Sequence, residues 1–360
     1  MTSKTSIFGM SIMRVSGRKG DLIKHLDKLH NALSDISQEA RDQPKELSFT
    51  AKQLVAQDLL QHKDKEVKLL TVCCLVDILR VFAPDAPYSP EETVSVFRAI
   101  AHQLKAMATT QTLSELHASK LYYILNSIAQ VQSCVVPVML AQSGVSGAEE
   151  VVTSMFETIM SSAHADHPPE VLGNGACVLQ SCIRESDGLS DVQLELLLQP
   201  LLPKNKTSHP AQYDLAVNVL RDTAGEVLPA ISAMVNPIIT QASQIQCSDS
   251  IVDNVYPLIY ELHRISPGLL NNILPNLCVQ LRNEDEEVRI PTTEIVGKLF
   301  ASKQAQYAVD FSRNFRDYLG RASDVSADVR LLVTGTAGAI AANNPTLQKS
   351  ILGKCIVGGV

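Results

Sequence analysis

The residues that could carry chemistry are nine histidines, eight cysteines and 38 acidic side chains, and their spacing decides what they can do. His164-x-x-His167 has a spacing that a zinc site can use. Two prolines follow it at once and no cysteine or second histidine pair lies nearby, so a polar loop accounts for it better. His25 and His30 are five residues apart, which sets them on different sides of one helix and reads as surface histidines. Glu284-Asp285-Glu286-Glu287 is a run of carboxylates in a turn. A general acid–base pair needs burial to shift its pKa, so a solvated acidic turn capping a helix is the expectation here. The chain contains no GxxxxGK[ST], GxGxxG, GxSxG or HExxH pattern. The reading is therefore of a protein without enzymatic activity, with no cofactor and no metal site.

The cysteines include no CxxC pair; Cys73 and Cys74 are adjacent, and the others fall in apolar segments. They read as small buried hydrophobes of a reducing, intracellular compartment.

One stretch has the make-up of a binding corner. Phe82-Ala83-Pro84-Asp85-Ala86-Pro87-Tyr88 leaves an apolar helix and precedes a capping serine. Two prolines fix the backbone at low entropic cost and small alanines leave it accessible. Asp85 supplies an acceptor and Tyr88 an amphipathic ring of the kind favoured at interfaces. From the residues alone a stiff connector is the favoured reading, because proline commonly follows a helix end.

These residues sit in a chain of 360, with 45% apolar residues and a net charge of 31 − 38 = −7. That apolar fraction excludes wholesale disorder, and the acidic balance argues against a dedicated nucleic-acid binder. No window holds the run of roughly 18 uncharged apolar residues that a membrane span needs. The most apolar stretch, Leu69 to Ala83, contains Asp77 and Arg80. Residues 1–20 carry Lys4, Arg14, Arg18 and Lys19 and no acid. They read as a disordered leader, although the composition is also permitted in an organelle transit peptide.

Helical periodicity dominates the rest. Ser89-Pro90-Glu91-Glu92 carries a capping box with proline at the first helical position. Thr50-x-x-Gln53 and Ser190-x-x-Gln193 repeat the box pattern. Three helices open alike, at Glu66-Val67-Lys68, Glu287-Val288-Arg289 and Asp328-Val329-Arg330. In each, the valine is expected to seat in the core and the cation to stay in solvent or pair with a neighbouring turn. The last two valines are 41 residues apart. That falls inside the period of about 40–47 residues of HEAT and armadillo hairpins.

The helix from Val67 to Phe82 is apolar on nearly every side, as an inner helix of stacked hairpins must be. Segments 47–60 with 64–82, 267–283 with 285–301, and 304–321 with 324–343 pair as such hairpins. The expectation is an all-α HEAT-repeat α-solenoid over residues 21–345, of about eight repeats, with no independent second domain. Residues 346–360 are expected to be a truncated or irregular end lacking a polar capping helix.

The segment from His62 through Glu66-Val67-Lys68-Leu69-Leu70 and Cys73-Cys74-Leu75-Val76-Asp77 to Ala83-Pro84-Asp85-Ala86-Pro87-Tyr88 closely resembles the hallmark of the precocious-dissociation-of-sisters family, HEAT-repeat regulators of cohesin. Asp21-Leu22-Ile23, Tyr213-Asp214-Leu215-Ala216, Leu258-Ile259-Tyr260-Glu261-Leu262, Glu286-Glu287-Val288-Arg289 and Tyr318-Leu319-Gly320-Arg321 follow in the family's order.

The resemblance implies a non-enzymatic, chromatin-associated scaffold in the nucleus that regulates sister chromatid cohesion and ring release. Its implied partners are the kleisin subunit of cohesin and the Wings-apart-like release factor, with chromatin contacted indirectly and no membrane. It implies that Ala83, Pro84, Asp85, Ala86 and Pro87 form a docking site for short peptides, including one from Wings-apart-like; Tyr88 is added as apolar area and Asp85 as polar anchor. Family members continue through many more repeats, which hold most of the kleisin-binding surface. A direct kleisin contact by this stretch is correspondingly doubtful. A generic helical-repeat adaptor for transport or phosphatase assembly is the alternative reading of the residues.

Overall fold

The computed structural model describes residues 12, 19–36, 45–112, 114–240, 247–349, 351 and 353. Every regular element among them is helical. The chain divides into two compact units. One is made of residues up to Asp187 together with His209–Val219; the other comprises Gly188–Ser208 and the chain from Leu220 onward.

The first unit is built on α1 (Lys19–Ser34), α2 (Lys45–Leu54), α3 (Gln57–Leu60), α4 (Lys65–Phe82), α5 (Pro90–Leu104), α6 (Glu115–Gln130), α7 (Val135–Gln142), α8 (Ala148–Ser162) and α9 (Pro169–Glu185). Its centre is α4. Asp64 starts that helix by accepting from the N–H groups of Glu66 and Val67. From Leu69 to Leu79 every residue is buried, because α1, α2, α3, α5 and α6 all pack against α4. Burying each leucine, isoleucine or valine of this run contributes about 1.5–3 kcal/mol.

In the second unit, helix Glu286–Phe300 pairs with the short pieces from Pro267 to Arg282, and helix Ala327–Asn343 with those from Tyr307 to Ser323. The two long helices pack on each other. Phe300 stacks edge-on to Phe315 at 5.1 Å between ring centres and lies 5.6 Å from Tyr318. Gly297 lies beneath that tyrosine; a Cβ there would meet the Tyr318 hydroxyl oxygen at 2.5 Å. The glycine is thus required by a close approach.

The turn arginines behave differently from the simple expectation. Val67 and Val329 are fully buried, but Val288 is only half-buried and Arg289 goes inside in its place. Arg289 Nη1 donates to the carbonyls of Asn283 and Glu284 at 2.9 and 2.8 Å, and Nη2 reaches Asp324 Oδ1 at 3.3 Å. Arg330 repeats the inward fold onto the carbonyls of Asp324 and Val325. Each arginine thereby satisfies carbonyls ahead of its own helix, and Arg289 also ties its turn to the acid of the next.

Local signals fared unevenly. Both halves of the capping boxes at Ser89 and Ser190 form. Thr50 is no cap: it lies within α2, with its hydroxyl donating to the Glu46 carbonyl. Of the expected leader, Lys19 and Gly20 belong to α1, and Ile12 is buried with its N–H donating to Gln53 Oε1 at 2.7 Å. The rest of residues 1–18, and 354–360, lie outside the described residues. No single described helix is long and apolar enough to cross a membrane.

The described cysteines are all free. Cys73, Cys74, Cys134, Cys182 and Cys278 are buried, whereas Cys177 and Cys247 are half-buried. Burial pushes the Cys73 and Cys278 thiols up to about 12 and Cys74 well above its usual value. Cys355 lies outside the described residues.

Candidate peptide-docking site

The corner at Ala83–Tyr88 joins two helices whose ends are well defined. Ala83 closes α4 with extended backbone, and its peptide bond to Pro84 is cis. At the other end Ser89 caps α5: its hydroxyl accepts from the Glu92 N–H at 3.2 Å while Glu92 Oε2 accepts from the Ser89 N–H at 2.8 Å. The Glu92 carboxylate also pairs with Lys52 of α2, and both contacts hold it below the usual carboxylate range. The corner is therefore pinned at each side and short between.

Within it, Pro84 and Asp85 are exposed, and Ala83, Ala86, Pro87 and Tyr88 are half-buried. The Tyr88 ring keeps part of its surface in solvent, but its hydroxyl is enclosed and has no hydrogen-bond partner among the described residues. Burial pushes that phenol far above the usual tyrosine value, with Cys74 and Glu92 nearby adding to the shift. Tyr88 thus faces inward through its oxygen. The six residues lie together in space as they do in sequence. Chemically they present a stiff apolar step with one outward carboxylate, suited to accept an N–H or a cation from an extended segment.

A polar cluster in the same unit fixes the helices behind this corner. Asp77 is fully buried. It accepts from His30 Nδ1 at 2.8 Å and from the hydroxyl of Tyr123, and lies 3.8 Å from the Arg80 guanidinium. Burial and the bond to Asp77 push the Tyr123 phenol well up. Arg80 in turn donates to the carbonyls of Ile36 and Leu33, both at 2.9 Å, and so closes the C-terminal end of α1. His30 is therefore not on the surface as its spacing suggested; it is a structural partner for an acid that α4 could not otherwise bury. The charged pair Asp77 and Arg80 inside an otherwise largely apolar run was the available signal.

The other chemical candidates resolve without a site. His164 is exposed and pairs with Asp166 at 3.2 Å, while His167 is buried edge-on against Tyr122. Among the described residues no three His, Cys, Asp or Glu side chains gather to hold a metal ion.

Comparison with known proteins places this geometry in a family. The model described as "Sister chromatid cohesion protein PDS5 protein" matches residues 20–356. The chain belongs to the PDS5 sister chromatid cohesion family. It is 30% identical over 334 residues to Sister chromatid cohesion protein PDS5 homolog B-A of Xenopus laevis, an alignment covering 92% of this chain and 22% of that protein. The human homolog B gives the same identity and coverage, and the chicken homolog A is 28% identical over 92% of this chain and 24% of its own length. The chain thus spans less than a quarter of these relatives. A solved structure, described as that of the Pds5–Scc1 complex with implications for cohesin function, matches with a TM-score of 0.78 and 20% identity, over 95% of this chain and 50% of the other. The fold is an all-α solenoid of HEAT type.

Proposed function

We propose that this chain is a cohesin-associated regulatory scaffold without enzymatic activity. It acts on sister chromatid cohesion and ring release by docking short peptides, such as one from the Wings-apart-like release factor, on Ala83–Tyr88. Family membership over residues 20–356 supports the cohesin setting. The observation that carries the site is the exposed Pro84–Asp85 step held between a capped helix and one buried at every residue from Leu69 to Leu79, where a peptide can settle at little ordering cost. The same family setting supports a nuclear, chromatin-associated location. The solved Pds5–Scc1 complex of similar fold also supports contact with the kleisin subunit of cohesin.

The test is direct. Overlapping peptides tiling the release factor are titrated against the chain and against Asp85→Lys, whose exposed side chain makes the change harmless to folding. A peptide that binds the unaltered chain and loses about tenfold or more with Asp85→Lys supports the site. Equal binding of every peptide to both forms overturns it.

A further inference from the structure

At the far end of α5 from this corner, α3, α4 and α5 enclose a cavity of about 390 Å³. Its lining carries the cations Lys68 and Arg98 and the imidazole of His102, with no carboxylate among the lining residues. None of the three makes an ion pair or a side-chain hydrogen bond among the described residues, and the same holds for Lys105, the exposed residue that ends α5. Lys63 and Lys65 of the same unit border another hollow, but there Asp64 and Glu66 line it with them. Leaving like charges together without an acid costs stability, so an unanswered group of cations around a hollow marks a place for an external anion.

The shape of the group decides which anion. Arg98, His102 and Lys105 follow at spacings of four and three, so they form one stripe along the helix. Seven residues of helix rise about 10 Å, the span of roughly three residues of extended peptide at about 3.3 Å each. A stripe of that length matches carboxylates two residues apart on a strand better than it matches one compact ion. The facing wall carries Gln57 of α3 and Gln61 just after it, exposed amides that can both donate and accept. Amides suit a peptide backbone and cations suit its side chains. We infer that this cavity is a second partner-binding surface, taking an acidic stretch of another protein in extended form. The inference needs no assumption about residues 83–88.

The net charge of −7 makes the test clean, because the chain as a whole repels a polyanion. Fluorescein-labelled octaglutamate is titrated by fluorescence anisotropy at low ionic strength. The expectation is saturable binding that Lys68→Glu with Arg98→Glu weakens at least about tenfold, while reversing Lys63 and Lys65 changes it less than about twofold. Circular dichroism checks folding, and the milder pair Lys68→Gln with Arg98→Gln is expected to give a smaller loss in the same direction. Equal loss at both lysine sites, or no loss at the cavity, overturns the inference. Binding of inorganic pyrophosphate that is lost with the cavity reversal, together with no binding of octaglutamate, also overturns it in favour of a small-anion site.

Discussion

The imidazole Nδ1 of His30 donates to the carboxylate of Asp77 across 2.8 Å, joining α1 to a helix surrounded almost wholly by apolar side chains. The Tyr123 hydroxyl takes the other carboxylate oxygen, so one acid holds three helices. Removing one partner from such a cluster leaves the others buried and unpaired, which costs more than the bonds themselves contribute.

Asp77→Ala is therefore expected to destabilise the first unit by about 3–5 kcal/mol, read as a lower urea midpoint. His30→Ala removes one donor and keeps the Tyr123 bond, so it is expected to cost less, about 1–3 kcal/mol. If Asp77→Ala moves the midpoint by no more than a surface substitution, the cluster is not what holds α1 to α4.

In the second unit the sensitive point is Gly297. A methyl group there would press on the Tyr318 oxygen, whose ring is fully buried and hydrogen-bonded to Thr336 at 2.6 Å. Gly297→Ala improves helix propensity by roughly 1 kcal/mol, yet overpacking costs about 1–3 kcal/mol. The expected net effect is a lower melting temperature, and Gly297→Ala combined with Tyr318→Phe should recover most of it. A stabilised Gly297→Ala protein would contradict the packing described here.

Acid is expected to loosen the fold before the carboxylates titrate. Burial lowers the pKa of His25, His167 and His263 below the ordinary 6.5. His263 is held between Tyr307, which donates onward to the Pro267 carbonyl, and Ser302 at 2.7 Å. Below 6.5 the unfolded chain binds protons that the folded chain refuses, so stability is complete above that pH. It falls as pH drops towards the lowered folded values and levels off beneath them. Melting temperature measured from pH 7.5 down to 5.5 should decline, and the decline should be shallower in His263→Gln. A flat profile across that range would contradict the burial of these rings.

What the sequence allowed one to read was mostly local. The box at Ser89 needs only four consecutive residues, and it formed. Thr50 has the same pattern, but its helix had already begun at Lys45, so the residue that looked like a cap became an interior one. The all-round apolar character of α4 was sufficient to foretell that other helices cover it. His30 was misplaced because its partner is 47 residues away, and no spacing within one helix reports that distance. Val288 and Arg289 exchanged roles for a similar reason: the acid that draws the arginine inward, Asp324, belongs to the following repeat. The corner at Ala83–Tyr88 was legible as stiff and accessible from its prolines and alanines. The inward turn of the Tyr88 hydroxyl was not, because it depends on Cys74 of α4 and Glu92 of α5 coming close to it.

The buried thiols turn the protein into its own reporter. Cys73, Cys74, Cys134 and Cys182 belong to the first unit and Cys278 to the second. Held away from water, they react with an alkylating reagent only when the surrounding helices part. The order in which mass spectrometry finds them labelled would therefore rank the two units by how often each breathes open, with no probe added to the chain.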